Sequence, residues 1–266
     1  MYTPIELSWK YLRYYLTAEN GKGHGVHSPF VFELITRVLN DRRVDEDCRR
    51  IEALRRQRCR DNRMVEVLDL GAGSAHSKGQ ERSVASIAKH AAKSPRYGRL
   101  LHRIAAHYQP STILELGTSL GFSTAYLATG NPGARVISLE GAPQILELAR
   151  ENFQTLNLTS IETIAGNFDD TLGPALEQLA SPVDLAFVDG NHRFEPTVRY
   201  VDRLLRKTDN SSILILDDIH WSREMEAAWK ACSGREEVSL SIDLFFIGLL
   251  VFRKEIREKQ AFSIRF

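Results

Sequence analysis

From residue 111 onward, short β-rich runs alternate with stretches of helical periodicity. STILEL is followed by a helical stretch at 122–130, RVISLE by 143–156, SIETIA by 170–180, VDLAFVD by 195–208 and SSILILDD by 222–233. Five strand–helix units in succession predict a parallel sheet with helices on both faces, because parallel neighbours need a crossover connection. The chain then changes rhythm. EVSLSIDL and IGLLVFR have almost nothing between them, so they are expected to pair antiparallel. The predicted fold is α/β, a doubly wound, mostly parallel seven-stranded sheet closed by a C-terminal antiparallel hairpin. The apolar run LFFIGLLVF in that hairpin reads as core, with a homodimer face as the alternative.

The first 95 residues read mostly helical. Ile5, Trp9, Leu12 and Leu16 share one helical face. GKGHGVH interrupts the pattern, and His24 and His27 on that glycine-rich loop suggest a lid. Ser28-Pro29 is a helix start, a hydroxyl N-cap followed by proline at the first helical position, and Phe30, Leu34, Ile35 and Val38 supply the stripe behind it. Residues 41–63 are very polar, with Ile51 and Leu54 as an apolar pair. They read as a solvated helix face, with a phosphate-binding stripe as the alternative. A glycine turn at Asp69–Ser74 reads as a strand and turn leading into this region. Val84, Ile87, Ala88 and Ala91 suggest a further helix, and Ser94-Pro95 opens the next, reaching about Tyr108. Residues 1–95 are therefore expected to form an N-terminal helical cap, and 96–266 the sheet domain.

Charge and cysteine usage exclude several function classes. The net charge is +1, which argues against a strongly cationic nucleic-acid binder, although residues 1–63 carry 13 Lys/Arg against 9 Asp/Glu. Three cysteines without a CxxC argue against a disulfide framework or zinc ribbon. MYTPIELSWK has no signal-peptide pattern, and no apolar run is long enough to span a membrane. The expectation is a cytoplasmic chain that meets no membrane.

In an open parallel sheet, ligands bind beyond the carboxyl ends of the strands. ILELGTSLGFST lies there after the first strand. Gly117 and Gly121 let a ligand approach the backbone, and the helix from Phe122 aims its N-terminal amides at the same place. Three readings compete. A dinucleotide fingerprint fits poorly, since Ser119 and Thr124 stand where glycines are needed. GTSLG matches a nucleophile elbow, with Ser119, Asp189 and His220 in hydrolase order. In the third reading the site takes S-adenosylmethionine: Glu115 ends the strand, the glycines approach the cofactor, and Glu140, 23 residues after Gly117, ends the next strand, where a carboxylate accepts both ribose hydroxyls.

Taken with KSPRYGRLL, VISLEGAP, AGNFDDTL, LAFVDGNHRFEP and LILDDIHW, the glycine turn makes residues 95–253 resemble the class I S-adenosylmethionine-dependent methyltransferases. More narrowly, they are similar to the catechol-type O-methyltransferases and the neighbouring methyltransferase family 24. The leader GHGVHSPFVFELI matches neither core. The resemblance implies a Rossmann-like sheet and S-adenosylmethionine as cofactor. Gly117, Thr118, Ser119 and Gly121 would line its methionine part and Glu140 would hold its ribose. Asn167 and the Phe168 amide would face the adenine edge, and Asp189 would lie beneath the transferring methyl.

Asp189, Asp217 and Asp218 end two strands expected to be neighbours. Converging carboxylates repel unless something neutralises them, and a hard divalent cation with oxygen ligands is the natural partner. The catechol-type enzymes bind magnesium with an Asp and an Asp-Asn pair at these places; this chain has Asp-Asp, which leaves the identity of the cation open. His192 stands three residues after Asp189, where those enzymes keep a lysine as general base, and His220 is the second histidine expected in the pocket. Trp221 is a candidate wall for an aromatic substrate. The expected activity is O-methylation of a small hydroxylated molecule. The rivals are the Ser119/Asp189/His220 hydrolase, a nucleic-acid methyltransferase gripping through residues 42–63, and a non-catalytic cofactor-binding module.

Overall fold

The computed structural model describes residues 1–19, 21–23, 27–67, 80–90 and 93–266. In chain order its elements are α1 (Pro4–Thr17), α2 (Pro29–Glu33), a π-helical turn at Leu34–Leu39, α3 (Glu46–Arg58), β1 (Met64–Val67), β2 (Gln80–Ser83), α4 (Val84–His90) and α5 (Pro95–Tyr108). There follow β3 (Thr112–Leu116), α6 (Phe122–Gly130), β4 (Arg135–Glu140), α7 (Pro143–Leu156), β5 (Ile161–Ala165), α8 (Phe168–Glu177), β6 (Leu185–Val188) and α9 (Phe194–Leu205). The last are β7 (Ile213–Asp217), α10 (Arg223–Ser233), β8 (Leu240–Asp243), β9 (Ile247–Val251) and β10 (Gln260–Ser263). The contacts divide the chain into two compact units, 41–175 and a discontinuous one made of 1–40 and 176–266.

In the unit 41–175, β3 pairs parallel with β4, and β4 with β5, with Leu114 opposite Ile137. Every residue of β3 is buried, as a strand covered on both faces requires. The polar stretch forms α3, which buries Cys48, Ile51 and Leu54 and leaves its charges outward. Those charges are largely neutralised in place: Arg49 pairs with Glu46, Arg50 with Asp47, and both Arg58 and Arg63 with Asp61 and Glu151. The region read as helical also contains an antiparallel pair, β1 with β2. The turn at Asp69–Ser74, together with His24 and Ala91, lies outside the described residues.

In the discontinuous unit, β6 pairs parallel with β7, while β7 and β8 each pair antiparallel with β9. The expected C-terminal hairpin is therefore present. Of LFFIGLLVF, only Phe246 is partly exposed, so the run is core. Sequence analysis missed β10, which pairs parallel with β8. Both units have the parallel strands and flanking helices of a Rossmann-like α/β fold.

Helix α1 opens with a capping box between Thr3 and Glu6. Its buried face carries Tyr14, packed with Ala18 against Phe245, and Leu7 and Tyr11 at the margin. Polar ties fix it further. Tyr2 Oη donates to Glu226 Oε2 at 2.6 Å, Lys10 Nζ lies 2.8 Å from Glu226 Oε1, and Tyr14 Oη donates to the carbonyl of Ile264. The amide of Glu19 donates to Ser263 O at 2.7 Å, and Arg265 N returns a bond to Glu19 O. The face picked out by Ile5, Trp9, Leu12 and Leu16 is the other one, and it is turned to solvent.

Candidate functional site

Two groups of polar residues stand at strand ends, one in each unit. In 41–175 the group is built on the ends of β3 and β4. The register sets Leu116 opposite Leu139, so the chain leaving β3 folds back over β4, and Gly117 N donates to Leu139 O at 2.9 Å. Gly117 has φ 103° and Gly121 φ 77°, values that favour glycine. At Gly121 space demands it as well, since a Cβ there would lie 2.5 Å from Phe153 Cε1. Gly121→Ala is expected to destabilise the chain by about 2 kcal/mol, because Phe153 must move in a packed core; thermal unfolding followed by circular dichroism checks it.

Glu140 closes this turn. Its Oε2 accepts the amide of Ser119 at 2.8 Å, and its Oε1 accepts the amide of Ala142 at 2.9 Å. One carboxylate thus ties the glycine turn to the start of α7, and its plane is fixed at the end of β4. Ser119 itself has φ 48°. Asn167 lies at the start of α8, where its Oδ1 accepts the amide of Asp169 at 3.0 Å and Phe168 follows it into the helix.

Glu115 departs from the expected role. It is completely buried, and its Oε2 accepts hydrogen bonds from Ser138 Oγ at 2.6 Å and from Thr124 Oγ1. Thr118 is also fully buried, its Oγ1 2.6 Å from Ser138 Oγ. These side chains brace the turn from the interior and present no surface to a ligand. Ser138 is a brace the sequence reading missed. Its signal was a hydroxyl in the middle of the otherwise apolar β4.

In the other unit the β6–β7 register sets Val188 opposite Leu216, which brings the next residues, Asp189 and Asp217, side by side. Asp217 is fully buried. His192 joins them through a loop in which Asn191 and His192 both have positive φ. Its Nε2 lies 3.5 Å from Asp189 Oδ1, and one ligand-capable atom from each of Asp189, His192 and Asp217 falls within 4.8 Å of the others. Two carboxylates and an imidazole suit a divalent cation by donor chemistry. Asp218, expected as a third carboxylate, is not in that group; with φ 52° it opens the turn that Trp221 N closes on its carbonyl at 2.9 Å.

His220 also departs from expectation. Its Nδ1 lies 3.0 Å from Glu226 Oε1, its Nε2 lies 2.7 Å from Asp243 Oδ2, and its ring stacks on Phe245 at 5.0 Å. Burial alone would lower its pKa, but the Asp243 and Glu226 carboxylates outweigh burial and raise it. Glu226, also bonded to Tyr2 and Lys10, is held below the usual range by those partners despite its burial. With both ring nitrogens engaged, His220 is a structural tie. The Asp189–His220 relay that a hydrolase triad requires is absent.

Residues 114–219 match the model of a methyltransferase domain family. A catechol O-methyltransferase of Mycobacterium tuberculosis is 33% identical over 133 residues, covering 48% of this chain and 57% of that protein. The chain thus spans little more than half the length of this curated relative. An O-methyltransferase from Bacillus cereus, solved in complex with SAH, superposes with a TM-score of 0.55 at 20% identity, over 79% of this chain and 92% of that one. An SAH-bound Podospora anserina methyltransferase superposes with 0.59 at 16% identity, over 96% and 98%. Among the described residues no helix is long and apolar enough to cross a membrane. The chain has the fold of the class I S-adenosylmethionine-dependent methyltransferases, with the methyltransferase domain matched at residues 114–219.

Proposed function

We propose that this chain is an S-adenosylmethionine-dependent O-methyltransferase acting on a small hydroxylated molecule, with a divalent cation held by Asp189 and Asp217. The observation that carries this reading is Glu140, an acceptor carboxylate fixed by two backbone amides at the end of β4, beside a turn in which a Cβ at Gly121 has no room. Glu140 holds the ribose hydroxyls, the backbone of 117–121 lies along the methionine part, and Asn167 with the Phe168 amide meets the adenine edge. Hydroxylated aromatic compounds are the first substrates to try, since the curated relative is named for catechol.

His192 is the proton acceptor. Its Nε2, 3.5 Å from Asp189 Oδ1, stays off the cation and takes the proton of the substrate hydroxyl. A bound divalent cation supplies orientation of the substrate oxygens and a lowered hydroxyl pKa. S-adenosylmethionine, held by Glu140 and the 117–121 turn, would supply its sulfonium methyl to that oxygen and leave as the neutral thioether S-adenosylhomocysteine; holding the reacting groups in line would contribute most of the rate gain. Ion pairing of Arg43, Arg49, Arg50, Arg58 and Arg63 lowers the charge that residues 42–63 offer to a nucleic acid, which favours a small-molecule acceptor. The three free thiols fit a reducing cytoplasm.

Calorimetric titration with S-adenosylhomocysteine, with and without magnesium or manganese, tests the reading. Micromolar binding is expected, and Asp217→Asn is expected to weaken the cation by roughly tenfold or more while sparing S-adenosylhomocysteine. No binding of S-adenosylhomocysteine in either condition overturns the methyltransferase reading.

A further inference from the structure

Helix α1 is apolar on two opposite faces, and one of them is covered only by solvent. Ile5, Trp9, Leu12 and Leu16 are 73%, 68%, 44% and 70% exposed. At helical spacing these four span roughly 60° of the circumference, so they form one continuous stripe. The helix cannot roll to bury it, because Tyr14, Ala18 and the Lys10–Glu226 and Tyr2–Glu226 bonds fix the other side. A contiguous apolar stripe held outward by polar ties marks an interaction surface.

We infer that a second copy of this chain covers the stripe, the two α1 helices packing antiparallel about a two-fold axis. In that arrangement the apolar positions pair with one another and the flanking charges pair as well. With the axis passing between Lys10 and Tyr11, Ile5 faces the other copy's Leu16 and Trp9 faces its Leu12. An antiparallel two-fold also brings like flanks together. Glu6 and Arg13 are both exposed on one flank, so Glu6 of each copy meets Arg13 of the other within about two residues of axial offset. A parallel pair would set that flank against Ser8 and Tyr15 and forgo both contacts. A lipid surface fits less well: Lys10 is turned inward to Glu226, and Arg13, the other basic residue of α1, shares its flank with Glu6. One helix pair is at the low end of interface sizes, so the dimer dissociates on dilution. This inference is independent of the methyltransferase reading.

Sedimentation velocity over a dilution series of the full chain tests it. Wild type is expected to pass from dimer to monomer as it is diluted. Trp9→Glu and Leu12→Glu are each expected to weaken the dimer roughly thirtyfold or more, and Arg13→Glu to weaken it less. Both apolar positions are exposed, so the variants should keep the wild-type circular dichroism and melting temperature. A wild-type chain that is monomeric at every concentration overturns the proposal. So does a dimer that survives both glutamate substitutions. A monomer that co-sediments with phosphatidylcholine–phosphatidylserine vesicles overturns it too, and assigns the stripe to lipid.

Discussion

Glu140→Ala is expected to weaken S-adenosylhomocysteine binding by on the order of a hundredfold or more. Two hydrogen bonds from ribose hydroxyls to a carboxylate are each worth about 1.5–3 kcal/mol, and a factor of ten costs about 1.4 kcal/mol. The substitution does more than remove an acceptor. Ser119 N and Ala142 N both donate to this carboxylate, so the glycine turn loses its tie to α7 at the same time. Glu140→Gln separates the two effects. Its amide oxygen keeps one acceptor, while its NH2 group opposes an amide where a carboxylate oxygen stood. Titration calorimetry on both variants is the measurement. Binding by Glu140→Ala equal to wild type would remove the ribose role from this residue.

His220→Leu is expected to lower stability by about 3 kcal/mol, since it leaves the Asp243 and Glu226 carboxylates without their shared partner in a half-buried site. For a chain of this size that corresponds to a melting temperature lower by roughly 6–12 °C. The result also decides what this histidine is for. A proton-transfer residue would give an inactive protein of normal stability. A structural tie gives the reverse: a less stable protein whose residual folded fraction keeps its S-adenosylhomocysteine affinity. Thermal unfolding and calorimetry on one preparation distinguish the two.

The sheet was legible because short runs such as Val136-Ile137 with Leu139, and Ile113-Leu114 with Leu116, recur between helical stretches, and Pro143 marks the start of α7 at the position observed. The strand-end carboxylates Asp189 and Asp217 followed from the predicted order of those strands. What failed depended on contacts distant in sequence. His220 stands next to the aspartate pair and so reads as a catalytic neighbour; its real partners, Glu226 and Asp243, lie on α10 and β8. Glu115 ends a strand, as a cofactor-binding acid does, but hydroxyls from Thr124 and Ser138 draw it inward. Helix α1 is apolar on two faces, so periodicity alone does not choose the buried one; the bonds of Tyr2 and Lys10 to Glu226 do. β10 is short and partly exposed, and its parallel pairing with β8 leaves no local signature.

The discontinuity of one compact unit has a consequence for how the chain is made. Residues 41–175 can find their unit's partners within one contiguous stretch. Residues 1–40 cannot, because the groups that receive α1 are Trp221, Glu226, Phe245 and Ile264. At ribosomal speeds of about 5–20 residues per second, helix α1 waits roughly ten seconds or more for them. Through that interval the Tyr14 face of α1 lacks the residues that cover it. Closure of that face therefore waits on the synthesis of Ile264, some 250 residues after Tyr14.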